Sequence, residues 1–384
     1  MKNRGLLKLS LLLTSMMTMM AGAIVAPTLP SISKVFSEVE NIALLSRLVI
    51  TLPALFIAIS APIFGILTDR YGRKKLLLIS LVLYALSGTS GAYLENIYVI
   101  LIGRAVLGIA VGGVMTIATA LIGDYFKGDE RNGFAGLQGA FMGVGGMVFI
   151  ALAGILADVS WHTPFYIYLF SIPVLILGLI YLYEPEITRV VRENKIKPES
   201  HNKKHALVIY LLAFTGIVFF YMVPVQIPFL IGGLDNVTNA QIGYAISLST
   251  IPGSLAAMSY KYIKKVLTFR QIYQAALLMM GIGYLLISQS SGYTSIVMGL
   301  LVGGIGTGLL MPTGSLWIMS IAPDSIRGSL VGRLSMATFL GMFFSPIILQ
   351  PLVNQYEVRG AFMAASICLF LITSALFFLR TNKN

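Results

Sequence analysis

Charge is scarce in this chain. Only 11% of its residues are Asp, Glu, Lys or Arg, against roughly 25% in an ordinary globular protein, too little polar surface for a soluble enzyme. Cysteine is nearly absent: the single thiol, Cys368, excludes a disulfide framework and a multi-cysteine metal site. Tryptophan occurs twice, at Trp161 and Trp317, fewer indoles than a sugar-stacking site usually draws on. No G-x-S-x-G turn is present, and the three histidines, His162, His201 and His205, fall between apolar runs rather than in a cluster. The sequence therefore implies no enzyme, no metal and no cofactor. Lys plus Arg outnumber Asp plus Glu by 27 to 15, yet the bases are too few and too scattered for a polyanion surface, so no nucleic-acid partner is expected.

What the chain has in excess is apolar residues, 57% of the total, with a mean hydropathy of +0.86. About 20 such residues in a helix cross roughly 30 Å of hydrocarbon. Twelve runs qualify: 6–30, 42–66, 75–95, 98–122, 133–157, 164–184, 206–230, 241–262, 270–290, 293–320, 328–352 and 360–380. The first follows Lys2, Arg4 and Lys8 and ends near Ala21-Gly22-Ala23, as a signal peptide would, but its apolar stretch is longer than a signal core and it is read as the first membrane helix. With the N-terminus inside, 23 of the 27 basic residues fall on the inner side and three, Lys34, Arg47 and Arg359, on the outer side. That asymmetry obeys the positive-inside rule and puts both termini in the cytoplasm of a multi-pass inner (plasma) membrane protein. The fold expectation is an all-α membrane protein of twelve transmembrane helices, a monomer in contact with membrane lipids.

The longest polar stretch divides those helices six and six. Residues 1–184 form an N-terminal bundle, 185–205 a solvated cytoplasmic linker and 206–384 a C-terminal bundle. The halves resemble each other as duplicated units do. Asp129-Glu130-Arg131-Asn132-Gly133 is echoed by Asp324-Ser325-Ile326-Arg327-Gly328, and Pro62 with Lys74-Lys75 by Pro252 with Lys264-Lys265.

Between spans 2 and 3 the chain reads Gly65-Ile66-Leu67-Thr68-Asp69-Arg70-Tyr71-Gly72-Arg73-Lys74-Lys75. Gly72 suits a tight reversal in a five- or six-residue link between antiparallel helices, and Gly65 suits close approach of a neighbouring helix. Asp69 is an anion placed to face the positive N-terminal end of another helix. The stretch resembles the signature G-x-x-x-D-[RK]-x-G-[RK]-[RK] of the major facilitator superfamily, whose two six-helix bundles match the whole chain. The resemblance implies a conformational latch made by Gly65, Asp69, Arg70, Gly72 and Arg73, with Arg73 paired to Asp124 at the inner end of helix 4 and Asp69 facing the start of helix 11. The second copy has Ser259 where Asp69 aligns, so the latch is one-sided.

No acid lies at the middle of a span, which leaves Asp124 as the proton carrier best placed by position, coupled to Asp69. Arg104 is the only base well inside a span, where an arginine costs about 2.5 to 3.5 kcal/mol. Arg104-x-x-x-Gly108 resembles the helix 4 motif of the drug:proton antiporter branch, and the resemblance gives Arg104 a coupling or substrate role. Helix 5 carries Gly133, Gly136, Gly139, Gly143, Gly145 and Gly146, a close-packing pattern, but Val144 stands where that branch has a proline. The family's cavity-lining helices offer Thr18, Met20, Gln138, Tyr221, Gln226, Met311 and Trp317, an adaptable wall for apolar or amphiphilic molecules. The function implied is secondary transport by alternating access, proton-coupled efflux of small amphiphilic or drug-like compounds. The alternative is a facilitator, symporter or antiporter of an anionic metabolite bound by Arg104.

Overall fold

The computed structural model describes residues 3–185, 203–323 and 326–378; these contain helices and no β-strand. Contacts divide the chain into two compact units, Met1–Asn194 and Lys195–Asn384. Ten helical segments are long and apolar enough to cross a bilayer. One of them, Arg327–Phe378, reverses at Glu357, whose φ of 58° breaks the helix, and so supplies two. Asn239–Met258, richer in hydroxyl and amide side chains, adds another helix of similar length. Each unit thus contains six long helical segments.

In the N-terminal unit these are α1 (Arg4–Val35, tightened to 3-10 geometry at Ala26–Thr28), α2 (Ile42–Tyr71), α3 (Arg73–Ala92), α4 (Ile97–Tyr125), α5 (Gly128–Val159) and α6 (Thr163–Tyr181). In the C-terminal unit they are α7 (Lys203–Gly232), α8 (Asn239–Met258), α9 (Phe269–Ser288), α10 (Tyr293–Ile321), α11 (327–356) and α12 (358–378). Apolar composition is spread round most helices because lipid and protein neighbours are equally apolar. Position is therefore set by small residues and by hydroxyls that reach free carbonyls. α2 lies against α4 where a Cβ on Gly108 would fall 2.4 Å from the Pro53 carbonyl oxygen, and α8 lies against α10 where one on Gly304 would fall 2.2 Å from that of Ser249. The two contacts stand 196 positions apart on both partners, which makes the duplication visible in packing.

Several sequence expectations need correction. The link between α2 and α3 is one residue, not five or six: Gly65–Tyr71 complete α2, Arg73 opens α3, and Gly72 alone makes the reversal at φ 88° and ψ 158°. Helix 8 was expected unbroken over 241–262, but it stops at Met258 and a separate turn of helix runs Tyr260–Val266. The separate runs 328–352 and 360–380 are joined through Glu357 without an intervening loop. On α5, added Cβ atoms at Gly133, Gly136 and Gly139 meet nothing within 4 Å. Close packing occurs at Gly145, where a Cβ would strike Met16 Cγ at 2.2 Å. Gly65 also faces open space, so the approach expected there is absent among the described residues. Most of the 185–205 linker and the Asp324-Ser325 pair lie outside the described residues.

Candidate functional site

A cavity of about 320 Å³ opens in the N-terminal unit between α1, α4 and α5. Its polar lining comes from Ser15, Thr18, Thr119 and Gln138, its apolar lining chiefly from Met115 and Met142. The hydroxyls are oriented by their own helices: Ser15 donates to the Leu11 carbonyl at 2.9 Å, Thr18 to Ser15 at 2.7 Å and Thr119 to Met115 at 2.9 Å. Gln138 Nε2 then donates to Ser15 Oγ at 2.8 Å, tying α5 to α1 across the cavity. No lining residue is ionisable.

The C-terminal part of the same α1 is fixed by two tyrosines. Tyr84 of α3 donates to the Met17 carbonyl, and Tyr168 of α6 to the Ala21 carbonyl, each at 2.9 Å. Behind Tyr168 sits Arg104, which is fully buried. Its guanidinium donates to Tyr168 Oη at 2.9 Å and to the Gly88 carbonyl at 2.6 Å, and lies over the rings of Phe165 and Tyr168 at 5.1 and 4.8 Å. Gly88 ends the α-helical part of α3 and opens its 3-10 turn Thr89–Ala92, so its carbonyl leaves the regular i→i−4 ladder and has a lone pair for the guanidinium. A buried cation is thereby held by carbonyl and ring faces rather than by an acid. Arg104 neither lines the cavity nor extends to the surface of the unit.

At the turn between α2 and α3, the signature residues close a different network. Arg73 forms an ion pair with Asp124, both partly buried. Glu184, just beyond α6, accepts the backbone N–H of Arg73 at 2.5 Å and of Lys74 at 2.8 Å. An anion at a helix N-terminus satisfies free donors and the positive end of the dipole together. A side chain at Gly72 would meet that carboxylate at 3.0 Å as well as strain the backbone. Lys74 Nζ donates to the Leu179 carbonyl at 2.8 Å, and the Tyr125 hydroxyl donates to the Tyr183 carbonyl, with the two rings 4.5 Å apart. Asp69 and Arg70 are exposed, Arg70 lying over its neighbour Tyr71.

Of the residues expected in the cavity, Thr18 and Gln138 line it. Met20 is fully buried in α1. Trp317 is packed among His205, Phe269 and Tyr273, near the starts of α7 and α9, with ring centroids 5.6 to 6.4 Å away. Tyr221 is half-buried at the break in α7, Gln226 is buried and Met311 is exposed. Sequence reasoning missed Glu184, Ser15, Tyr84 and Tyr168. Nothing local marks Glu184 or the tyrosines, because Glu184 caps a helix more than a hundred residues earlier and the tyrosines reach distant carbonyls.

The sequence matches the Major Facilitator Superfamily over residues 11–265 and again over 209–384. A tetracycline resistance protein of class H from Pasteurella multocida is 27% identical over 66% of this chain, and the match spans 63% of that relative's length. The quinolone resistance protein NorA of Staphylococcus aureus is 25% identical over 81% of each chain. Among solved structures, the human organic anion transporter MFSD10 superposes with a TM-score of 0.70 over 98% of this chain and 100% of its own, at 17% identity, a likeness of fold.

Proposed function

The chain belongs to the Major Facilitator Superfamily, and from that premise we propose that it is a multi-pass secondary transporter of the plasma membrane that exports small amphiphilic or drug-like compounds in exchange for protons. The observation that carries the substrate side is the thioether- and hydroxyl-lined cavity beside α1, adaptable in shape and sparing in fixed charge. The names of relatives, resistance to tetracycline and to quinolones, support a drug-like cargo. Transport proceeds by rocking of the two six-helix units, with both termini in the cytoplasm and the monomer as the working unit. Asp69, exposed at the end of α2, serves as the latch residue of the signature, and Asp124, paired to Arg73, carries the proton: protonation neutralises the carboxylate, frees Arg73 and loosens the end of α4.

Anion transport through Arg104 loses support from its burial and from its existing partners, Tyr168 and the Gly88 carbonyl. Arg104 acts instead as a positioning residue for α1. The test is reconstitution into liposomes with an imposed proton gradient. Export of a fluorescent drug-like dye is expected to follow the gradient and to lose that dependence in Asp124→Asn. Gradient-driven export that persists unchanged in Asp124→Asn removes the carrier role, and export indifferent to the gradient removes proton coupling.

A further inference from the structure

Each hydroxyl in the cavity of the N-terminal unit has committed its only proton. Ser15, Thr18 and Thr119 all donate to carbonyls of their own helices, so what they offer a ligand is lone pairs. Because the Ser15 proton goes to Leu11, the Gln138 atom 2.8 Å from Ser15 Oγ must be the donating amide nitrogen. That fixes the amide's orientation and leaves its Oε1 as a further acceptor. The polar face of the cavity is thus rich in acceptors and poor in donors. It is also uncharged: the acid two helical turns away on α5, Glu130, is already paired with Arg4 and Lys8, and Asp124 is paired with Arg73.

A molecule entering such a site must bring donors and gains no countercharge for a formal charge of its own. Removing a full charge from water without a partner is costly, whereas a neutral N–H or O–H exchanges water for an oriented acceptor. The remaining lining, Met115 and Met142, suits a flat or ring-bearing apolar body. A volume of about 320 Å³ stands at the lower end of small-molecule sites.

We propose that this cavity selects uncharged amphiphiles carrying a hydroxyl or amide N–H donor, with Gln138 and Thr119 as the residues that determine that preference. The inference rests on the export reading above and narrows its substrate class. The test uses three probes that share one apolar body: 4-hexylphenol, which is neutral with a donor; 4-hexylanisole, neutral without one; and trimethyl(4-hexylphenyl)ammonium, a permanent cation. Binding is measured as the difference between lipid nanodiscs with and without the protein, which subtracts partitioning into lipid.

The phenol is expected to bind roughly fivefold more tightly than the anisole, the size of one neutral hydrogen bond, and at least about tenfold more tightly than the cation. In Gln138→Leu the preference for phenol over anisole falls to about twofold or less. Thr119→Val, nearly isosteric, carries the same test if Gln138→Leu fails to fold by its melting curve. Equal or tighter binding of the cation overturns the proposal, as does a phenol preference unchanged in the folded variants. A second arm follows the same probes in proteoliposomes under a proton gradient. Ordered binding without gradient-driven movement removes the export reading and leaves the site; gradient-driven movement that favours the cation removes the site and leaves export.

Discussion

The two six-helix units solve one packing problem with different chemistry. Both hold their first helix by a tyrosine hydroxyl on a carbonyl, Tyr84 to Met17 at 2.9 Å in the N-terminal unit and Tyr284 to Phe219 at 2.5 Å in the C-terminal unit. Each tyrosine leans on a second ring, Tyr168 at 5.7 Å in one case and Phe362 at 5.1 Å in the other. Here they diverge. The N-terminal unit buries Arg104 beside its second ring, and the position 196 residues later is Leu300, also buried. The fold closes over leucine and phenylalanine without a cation, so helix packing alone does not call for one. The N-terminal unit holds the 320 Å³ cavity, while a C-terminal pocket beside Tyr284 and Leu300 has about 20 Å³, room for one water.

The largest effect available for breaking the comparison lies in the helix crossings. At Gly308 an added Cβ would fall 2.0 Å from the Gly253 carbonyl oxygen, with backbone atoms as all three of its nearest neighbours. At Gly112, 196 positions earlier, the nearest atom is Ser60 Oγ at 2.1 Å, the end of a side chain that can turn. Gly308→Ala should therefore cost at or above the ~3 kcal/mol top of the overpacking range, and Gly112→Ala near its ~1 kcal/mol floor, read as melting temperature in detergent. Equal losses would show that the crossings are alike after all.

Next in size is Arg104→Leu, which gives the N-terminal unit the residue its counterpart already uses. It leaves the Gly88 carbonyl without its donor, worth about 1 to 3 kcal/mol, and removes an unneutralised buried cation, a gain that offsets part of that loss. The variant is expected to fold, melting within a few degrees of the wild type, and to lose most transport because Tyr168 no longer holds α1 at Ala21. Unfolding of Arg104→Leu would show that the arginine is needed for packing in this unit; undiminished transport would show that it positions nothing.

Much of this was legible in the sequence because period, length and charge asymmetry are properties of whole segments. The twelve apolar runs, the division into six and six, and the signature around Asp69 and Gly72 are all local. The misreadings have a common cause. Helices do not end where apolarity ends, so Gly65–Tyr71 was read as loop although hydrogen bonding carries α2 through it to Gly72. Glycine spacing on α5 suggested a close contact, but spacing does not say whether a partner is present, and Gly133, Gly136 and Gly139 have none within reach of a Cβ. Thr18 and Gln138 were legible as candidates because they are polar on apolar helices. Met20 and Trp317 were chosen instead as adaptable apolar surface and failed on orientation, which the sequence of a helix apolar on every side does not encode.

The smallest effect separates the two units at the turns that open their third helices. α3 has its first N–H groups taken up by Glu184, more than a hundred residues away, whereas α9 is closed locally by a capping box in which Thr268 Oγ1 accepts from Gln271 N–H at 3.4 Å and Gln271 Oε1 accepts from Thr268 N–H at 2.9 Å. Either cap is worth about 0.5 to 2 kcal/mol, so Glu184→Ala and Thr268→Ala should lower the melting temperature by similar, small amounts. Their consequences for transport should differ. Losing Thr268 frays one helix end; losing Glu184 also uncouples the signature turn from the end of α6, where the chain leaves the N-terminal unit. Transport is expected to fall several-fold in Glu184→Ala and to stay near wild type in Thr268→Ala, measured in the same liposomes at matched protein density. If both variants transport alike, the distant cap is only a cap, and the corresponding turns of the two units are equivalent despite their chemistry.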